Sequence, residues 1–153
     1  ASTLGTSYMD EDNQALTESK NNIVPNITLL KARLLFDGGY FQKALDLMIE
    51  KKPSDFCKTT QDFLEYTYRL GRIYDEWGYE TKAIPYYELT IKNGTTSTYY
   101  FAANSSLHLG MIYENLQNKT KAKYYYELCS TMKNTEYKTS INQKAKAGLS
   151  RLE

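Results

Sequence analysis

The 153-residue sequence lacks any stretch near the ~18 apolar residues that a membrane span requires, so no membrane insertion is expected. Its N-terminus lacks a basic-then-apolar secretory pattern and does not start with Met, which reads as a processed protein or an excised domain. An excess of charge of one sign is missing too, because 19 Lys and Arg face 18 Asp and Glu. Nucleic-acid binders carry a clear basic excess, so no nucleic-acid partner is expected. Cysteine is limited to Cys57 and Cys129, far apart and outside any CxxC or Cys/His spacing. Two such residues define neither a disulfide framework nor a four-ligand zinc site and read as reduced thiols. The one histidine, His108, sits among Leu107, Leu109 and Met111 and reads as a packing or groove-lining residue. No Gly-rich phosphate loop, HExxH, GxSxG or paired-carboxylate motif occurs. These absences point away from an enzyme, and no cofactor or metal is expected.

What is present is a repeat. Leu70-Gly71-Arg72-Ile73-Tyr74 recurs as Leu109-Gly110-Met111-Ile112-Tyr113, and Thr81-Lys82-Ala83 as Thr120-Lys121-Ala122. Tyr86-Tyr87-Glu88-Leu89 recurs as Tyr125-Tyr126-Glu127-Leu128, and every offset is 39 residues. One period earlier, Ala83 maps to Ala44 and Gly71 to Ala32, so small residues fall in register three times. Small residues let two antiparallel helices approach closely, while Leu35, Tyr74 and Tyr113, with Met48, Tyr87 and Tyr126, fill the space beside them. A short turn divides each unit: Asp37-Gly38-Gly39, Trp77-Gly78-Tyr79 and Gln117-Asn118-Lys119. Gly there supplies the left-handed conformation that ends a helix cheaply. Each unit therefore reads as a helical hairpin.

This pattern resembles the tetratricopeptide repeat. Leu70, Gly71, Tyr74, Gly78, Ala83 and Tyr87 carry the likeness in the second unit, and Leu109, Gly110, Tyr113, Ala122, Tyr126 and Cys129 in the third. Ala32, Gly39, Ala44 and Met48 carry it more loosely in the first. The resemblance implies an all-α, right-handed α-solenoid of three hairpins that binds a protein or peptide partner. The period departs from the family's 34 residues, and the additional five fall around 52–60 and 92–98. Longer connectors or an extra helical turn are expected there.

The expected organisation is one domain. Residues 1–25 form an extension with a short helix at Asp10–Lys20, and 26–57, 58–96 and 97–135 are the three repeats. Residues 136–153 supply a capping helix at Ser140–Leu152, whose Lys144, Lys146 and Arg151 suit a polar outer face. Expected helices run over 27–37, 40–51, 58–77, 80–92, 97–117 and 119–132. The run Tyr99–Asn104 and the ending from Glu136 to Leu149 also resemble the C-terminal portion of larger bacterial repeat proteins. That likeness implies helices upstream and a lean towards the cell envelope. On that reading Leu29, Leu34 and Phe36 are partly exposed on the first hairpin, a patch suited to self-association.

In the family, the first helix of each hairpin lines the groove. Carried onto this sequence, that places Asn26, Leu29, Arg33 and Phe36, then Glu65, Tyr68, Arg72 and Asp75, then Asn104, Leu107, Met111 and Glu114 on the inner face. Arg33 and Arg72 lie one period apart and suit an acidic or carboxylate-bearing segment, with Tyr68, Leu107 and Met111 giving apolar contact; the alternative is that both arginines pair with Asp37, Asp75 or Glu76 on their own scaffold. Leu29, Tyr68 and Leu107 stand where the clamp lysine of the family's chaperone-binding members is expected, so that specificity is not. Tyr100, Tyr124 and Tyr125 are further candidates for recognition. The alternative is an accessory segment that stacks on other helices without a groove ligand.

Overall fold

The computed structural model describes residues 26–153, and the expected Asp10–Lys20 helix lies outside them. Among the described residues the elements are all helical: α1 (Ile27–Asp37), α2 (Phe41–Ile49), α3 (Pro53–Phe56), α4 (Thr60–Glu76), α5 (Glu80–Gly94), α6 (Phe101–Asn115), α7 (Lys119–Cys129) and α8 (Lys138–Leu152). Helices α1/α2, α4/α5 and α6/α7 pair as hairpins, and α8 packs on α6 and α7. The result is an α-solenoid.

Local chemistry sets the boundaries. Asn26, Thr59 and Asn118 each accept a hydrogen bond from a first-turn amide, at 3.2, 3.0 and 3.1 Å, satisfying donors that a helix start leaves open. The three hairpin turns share one geometry, with Gly39 at φ +82°, Gly78 at φ +93° and Gln117 at φ +60°. After each, a backbone amide reaches back five residues, from Tyr40 to Leu35, Tyr79 to Tyr74 and Asn118 to Tyr113, all at 2.8 Å. Gln117 keeps the left-handed conformation without the freedom of glycine.

Gly71 and Gly110 lie inside α4 and α6. A Cβ on Gly71 would sit 2.7 Å from the Tyr87 ring, and one on Gly110 would sit 2.5 Å from Tyr126. Ala32, Ala44, Ala83 and Ala122 are all buried at the hairpin crossings. Removing the side chain on one helix is what lets a tyrosine of its partner lie flat against the backbone. Tyr74 stacks on Tyr86 at 5.7 Å and Tyr113 on Tyr125 at 5.6 Å, the same pair one period apart.

The additional residues of the period are accounted for in the connectors. The first contains α3, begun by Pro53, whose fixed φ suits a first helical turn. The connector near Thr95–Tyr100 hydrogen-bonds to the one that follows α7, through Lys133 N to Thr95 O at 3.2 Å and Thr135 N to Thr98 O at 3.0 Å.

Two expectations about the first hairpin are corrected. Leu29 and Phe36 are buried, Leu29 in the cluster with Ala44, Met48 and Leu70, and Phe36 beneath two guanidinium groups of α4. Only Leu34 of that trio is open, at 60% exposure, joined by Ile27, Tyr40 and Ile49.

Candidate protein-binding face

The first helices of the hairpins touch in series, α1 to α4, α4 to α6 and α6 to α8. Along this row, contacts recur between residues i and i+36. Asn26 Nδ2 donates to Asp62 Oδ2 at 3.3 Å, Phe36 lies under Arg72, Asn104 Nδ2 donates to the Tyr68 hydroxyl at 2.6 Å, and Arg72 Nη1 donates to His108 Nδ1 at 3.4 Å.

Three arginines gather in the middle of the row. Glu65 Oε1 bridges Arg33 Nη1 at 4.0 Å and Arg69 Nη2 at 3.8 Å. The Phe36 ring carries Arg69 and Arg72 over it, at 5.4 and 5.3 Å from its centroid, an attractive arrangement for a cation over a π face. Arg72 Nη2 donates to Glu76 at 3.2 Å, while Nη1 lies 4.0 Å from Asp75. The strip is buried, with Arg33 4%, Arg69 0% and Arg72 7% exposed.

A polar network continues towards the third hairpin. The Tyr87 hydroxyl donates to Asp75 Oδ2 at 2.8 Å, His108 Nδ1 lies 3.6 Å from the same oxygen, and the imidazole stacks on Tyr87 at 5.6 Å. Burial raises the Asp75 pKa, opposed by Tyr87 and Arg72. Burial, with Arg72 and Lys144 nearby, holds His108 well below the usual histidine range. Arg72 donating to Nδ1 leaves the imidazole neutral with its proton on Nε2, so the group acts here as an acceptor and a stacking plate. At the far end Glu114 accepts from Tyr126 at 2.6 Å and from Arg151 Nε at 2.8 Å, and these bonds hold its carboxyl below the usual range.

The expected face is thus partly redrawn. The row brings Arg33, Phe36, Glu65, Arg72 and Asp75 together around the arginine strip, with Met111 and Glu114 half-buried further along. Tyr68 and Leu107 are core residues: Tyr68 packs on Tyr87, Tyr100 and Phe101, and Leu29, Tyr68 and Leu107 fill one buried register position in all three hairpins. Asn104 is buried as the donor to Tyr68. Tyr100 is buried too, Tyr125 is half-buried against Tyr113, and Tyr124 is exposed. Arg69 was not expected here. Its signal is its place 36 residues after Arg33, a spacing that only the packing makes meaningful.

Antiparallel hairpins stacked in a common register define a helical-repeat protein. Residues 64–92 and 103–136 match the tetratricopeptide repeat family, and the chain carries tetratricopeptide repeats. Such repeats generally mediate protein–protein interaction and generally serve as scaffolds without catalysis. No curated protein and no solved structure matches the chain. Among the described residues no helix is long and apolar enough to cross a membrane.

Proposed function

We propose that this chain is a non-catalytic scaffold whose inner face binds an acidic or carboxylate-bearing segment of a protein partner. The observation that carries the reading is the convergence of Arg33, Arg69 and Arg72 on Glu65 and Phe36 across two hairpins. Guanidinium groups are rigid forks matched to carboxylates, and a shared aromatic plate fixes the direction in which they point. Because the strip is buried and paired with Glu65, Asp75 and Glu76, a partner carboxylate engages it by competing with those pairings. The test is affinity for acidic and neutral synthetic peptides, measured on wild type and on Arg33→Gln and Arg72→Gln variants that keep their helicity. Binding that favours acidic peptides, weakens at least tenfold in either variant and falls with salt supports the reading. Equal binding of both peptide classes sinks it.

A second reading, an accessory segment that stacks on further helices or on another copy of itself, is favoured by a different observation. The outer face of α1 and α2 opens a depression of about 770 Å³ lined by Lys31, Leu34, Leu35, Tyr40, Lys43 and Leu47. Leu34 is exposed there, whereas its counterparts Ile73 and Ile112 are buried. A concentration-dependent mass in sedimentation, abolished by Leu34→Lys, is the outcome that supports this reading.

A further inference from the structure

Resting on the self-association reading, we propose that the outer face of the first hairpin pairs with the same face of a second copy about a two-fold axis, Lys43 of each chain against Glu50 of the other. The first argument is how this face departs from its repeats. One and two periods after Lys31 and Leu34 stand Leu70 and Ile73, then Leu109 and Ile112, and all four are buried. Leu70 and Ile73 pack into the cluster formed by Leu29, Ala44 and Met48 of the hairpin before them. Lys31 puts an exposed ammonium where those hairpins put leucine, while Leu34 stays apolar and open. An apolar hairpin stacked here as the inner ones are stacked would bury that charge without a partner, at a steep cost. The occupant must bring carboxylates together with apolar area.

Charge complementarity is the second argument. The face carries Lys31 and Lys43 with Asp46 and Glu50, around Leu34 and Leu47. These two cations and two anions cancel, so a second copy is not repelled. On α2 the signs are separated, with Lys43 in the first turn and Glu50 capping the last. They lie seven residues apart, two helical turns or about 10.5 Å, and so project from one side of the helix with Leu47 between them. Lys43 is laid over the Tyr40 ring, 5.3 Å from its centroid. Turning a second α2 antiparallel over the first, about an axis beside Leu47, sets each Lys43 against Glu50 of the other chain and Leu47 against Leu47. Such a closed contact satisfies both ends at once and adds no further copies. Asp46, which also accepts from Gln42 of its own helix at 2.8 Å, is the second carboxylate that each copy brings to the face carrying Lys31.

The test is sedimentation equilibrium of the whole chain over a concentration series, in wild type and in charge-swapped variants. Lys43→Glu places an acid in the first turn of α2 and Glu50→Lys a base at its end. Both suit the helix dipole, so circular dichroism should be unchanged. Each alone sets like charges against each other and should raise the dimer dissociation constant by about tenfold or more. Two results are specific to the two-fold pairing. The double variant Lys43→Glu, Glu50→Lys should return to within about threefold of wild type, and an equimolar mixture of the two single variants should associate where neither does alone. A concentration-dependent mass abolished by Leu34→Lys, without either rescue, overturns the two-fold pairing and leaves the self-association reading. A monomer mass at every concentration overturns both the pairing and the self-association.

Discussion

The hydroxyl of Tyr126 donates to Glu114 at 2.6 Å across the third hairpin, as Tyr87 donates to Asp75 at 2.8 Å across the second. In the first hairpin the equivalent positions are Phe36 and Met48, so the polar pair is replaced as a pair by an apolar one. The bond to a charged acceptor is worth about 1–1.5 kcal/mol, since the site is partly open to water. Tyr126→Phe should lower Tm by about 2–6 °C, and Tyr87→Phe by a similar amount. Calorimetry on both variants checks this.

The same carboxylate predicts a pH effect. Arg151 first, then Tyr126, holds the folded pKa of Glu114 below its ordinary 4.5. A depressed carboxyl pKa contributes stability that is present above about 4.5 and lost as pH falls through the folded value. The stability difference between wild type and Arg151→Gln should therefore be constant at neutral pH and shrink below about pH 4, read from urea midpoints.

His108 carries the effect in a second window. Its folded pKa lies well below 6.5 because of burial, Arg72 and Lys144. The unfolded chain therefore takes up the proton first, and the contribution present above pH 6.5 is lost as pH falls below it, at up to about 1.4 kcal/mol per pH unit. Asp75 and Tyr87 face the ring in both proteins, so the comparison with His108→Gln isolates the imidazole. The variant should show a flatter stability profile between pH 6.5 and 5.

Tyr126 is held between two glycines. A Cβ would come within 2.5 Å of the ring at Gly110 and at Gly148 of α8. Ala in a helix ordinarily gains about 1 kcal/mol over Gly, yet Gly110→Ala should destabilise by about 1–3 kcal/mol through overpacking. The cost should fall sharply when Tyr126→Leu is already present, a coupling that a double-mutant cycle measures. Additive effects would remove the close contact as the reason for the glycine.

Gln117→Gly should do the reverse. The φ of +60° at the third turn is what Gly39 and Gly78 supply without a Cβ. A gain of up to about 1 kcal/mol is expected, visible as a rise in the urea midpoint at unchanged slope.

These cases separate what the sequence carried from what it hid. Gly71 and Ala83 announce the hairpins because a small residue beside a large one is visible in composition and recurs at a fixed interval. Tyr68 misled because tyrosine suits a wet surface and a core equally, and only its ring contacts with Tyr100 and Phe101 decide between them. Phe36 looked exposed because the residues that cover it, Arg69 and Arg72, are charged and belong to another hairpin. Helix α3 was foreshadowed by length alone, and Pro53 marked where it starts. The pairing of Thr98 with Thr135 left no trace, since backbone amides and carbonyls are common to every residue.

The chain repeats every 39 residues but touches itself along the inner row every 36. Each first helix is therefore displaced against its predecessor by three positions, about 4.5 Å. The direct contacts run from Phe36 to Arg72 and from Arg72 to His108, three positions off the alignment that pairs Arg33 with Arg72 and Met111. A consensus repeat inserted by alignment alone would preserve every hairpin and still scramble the side-chain contacts along the inner row, because those contacts are written in the offset between two periods.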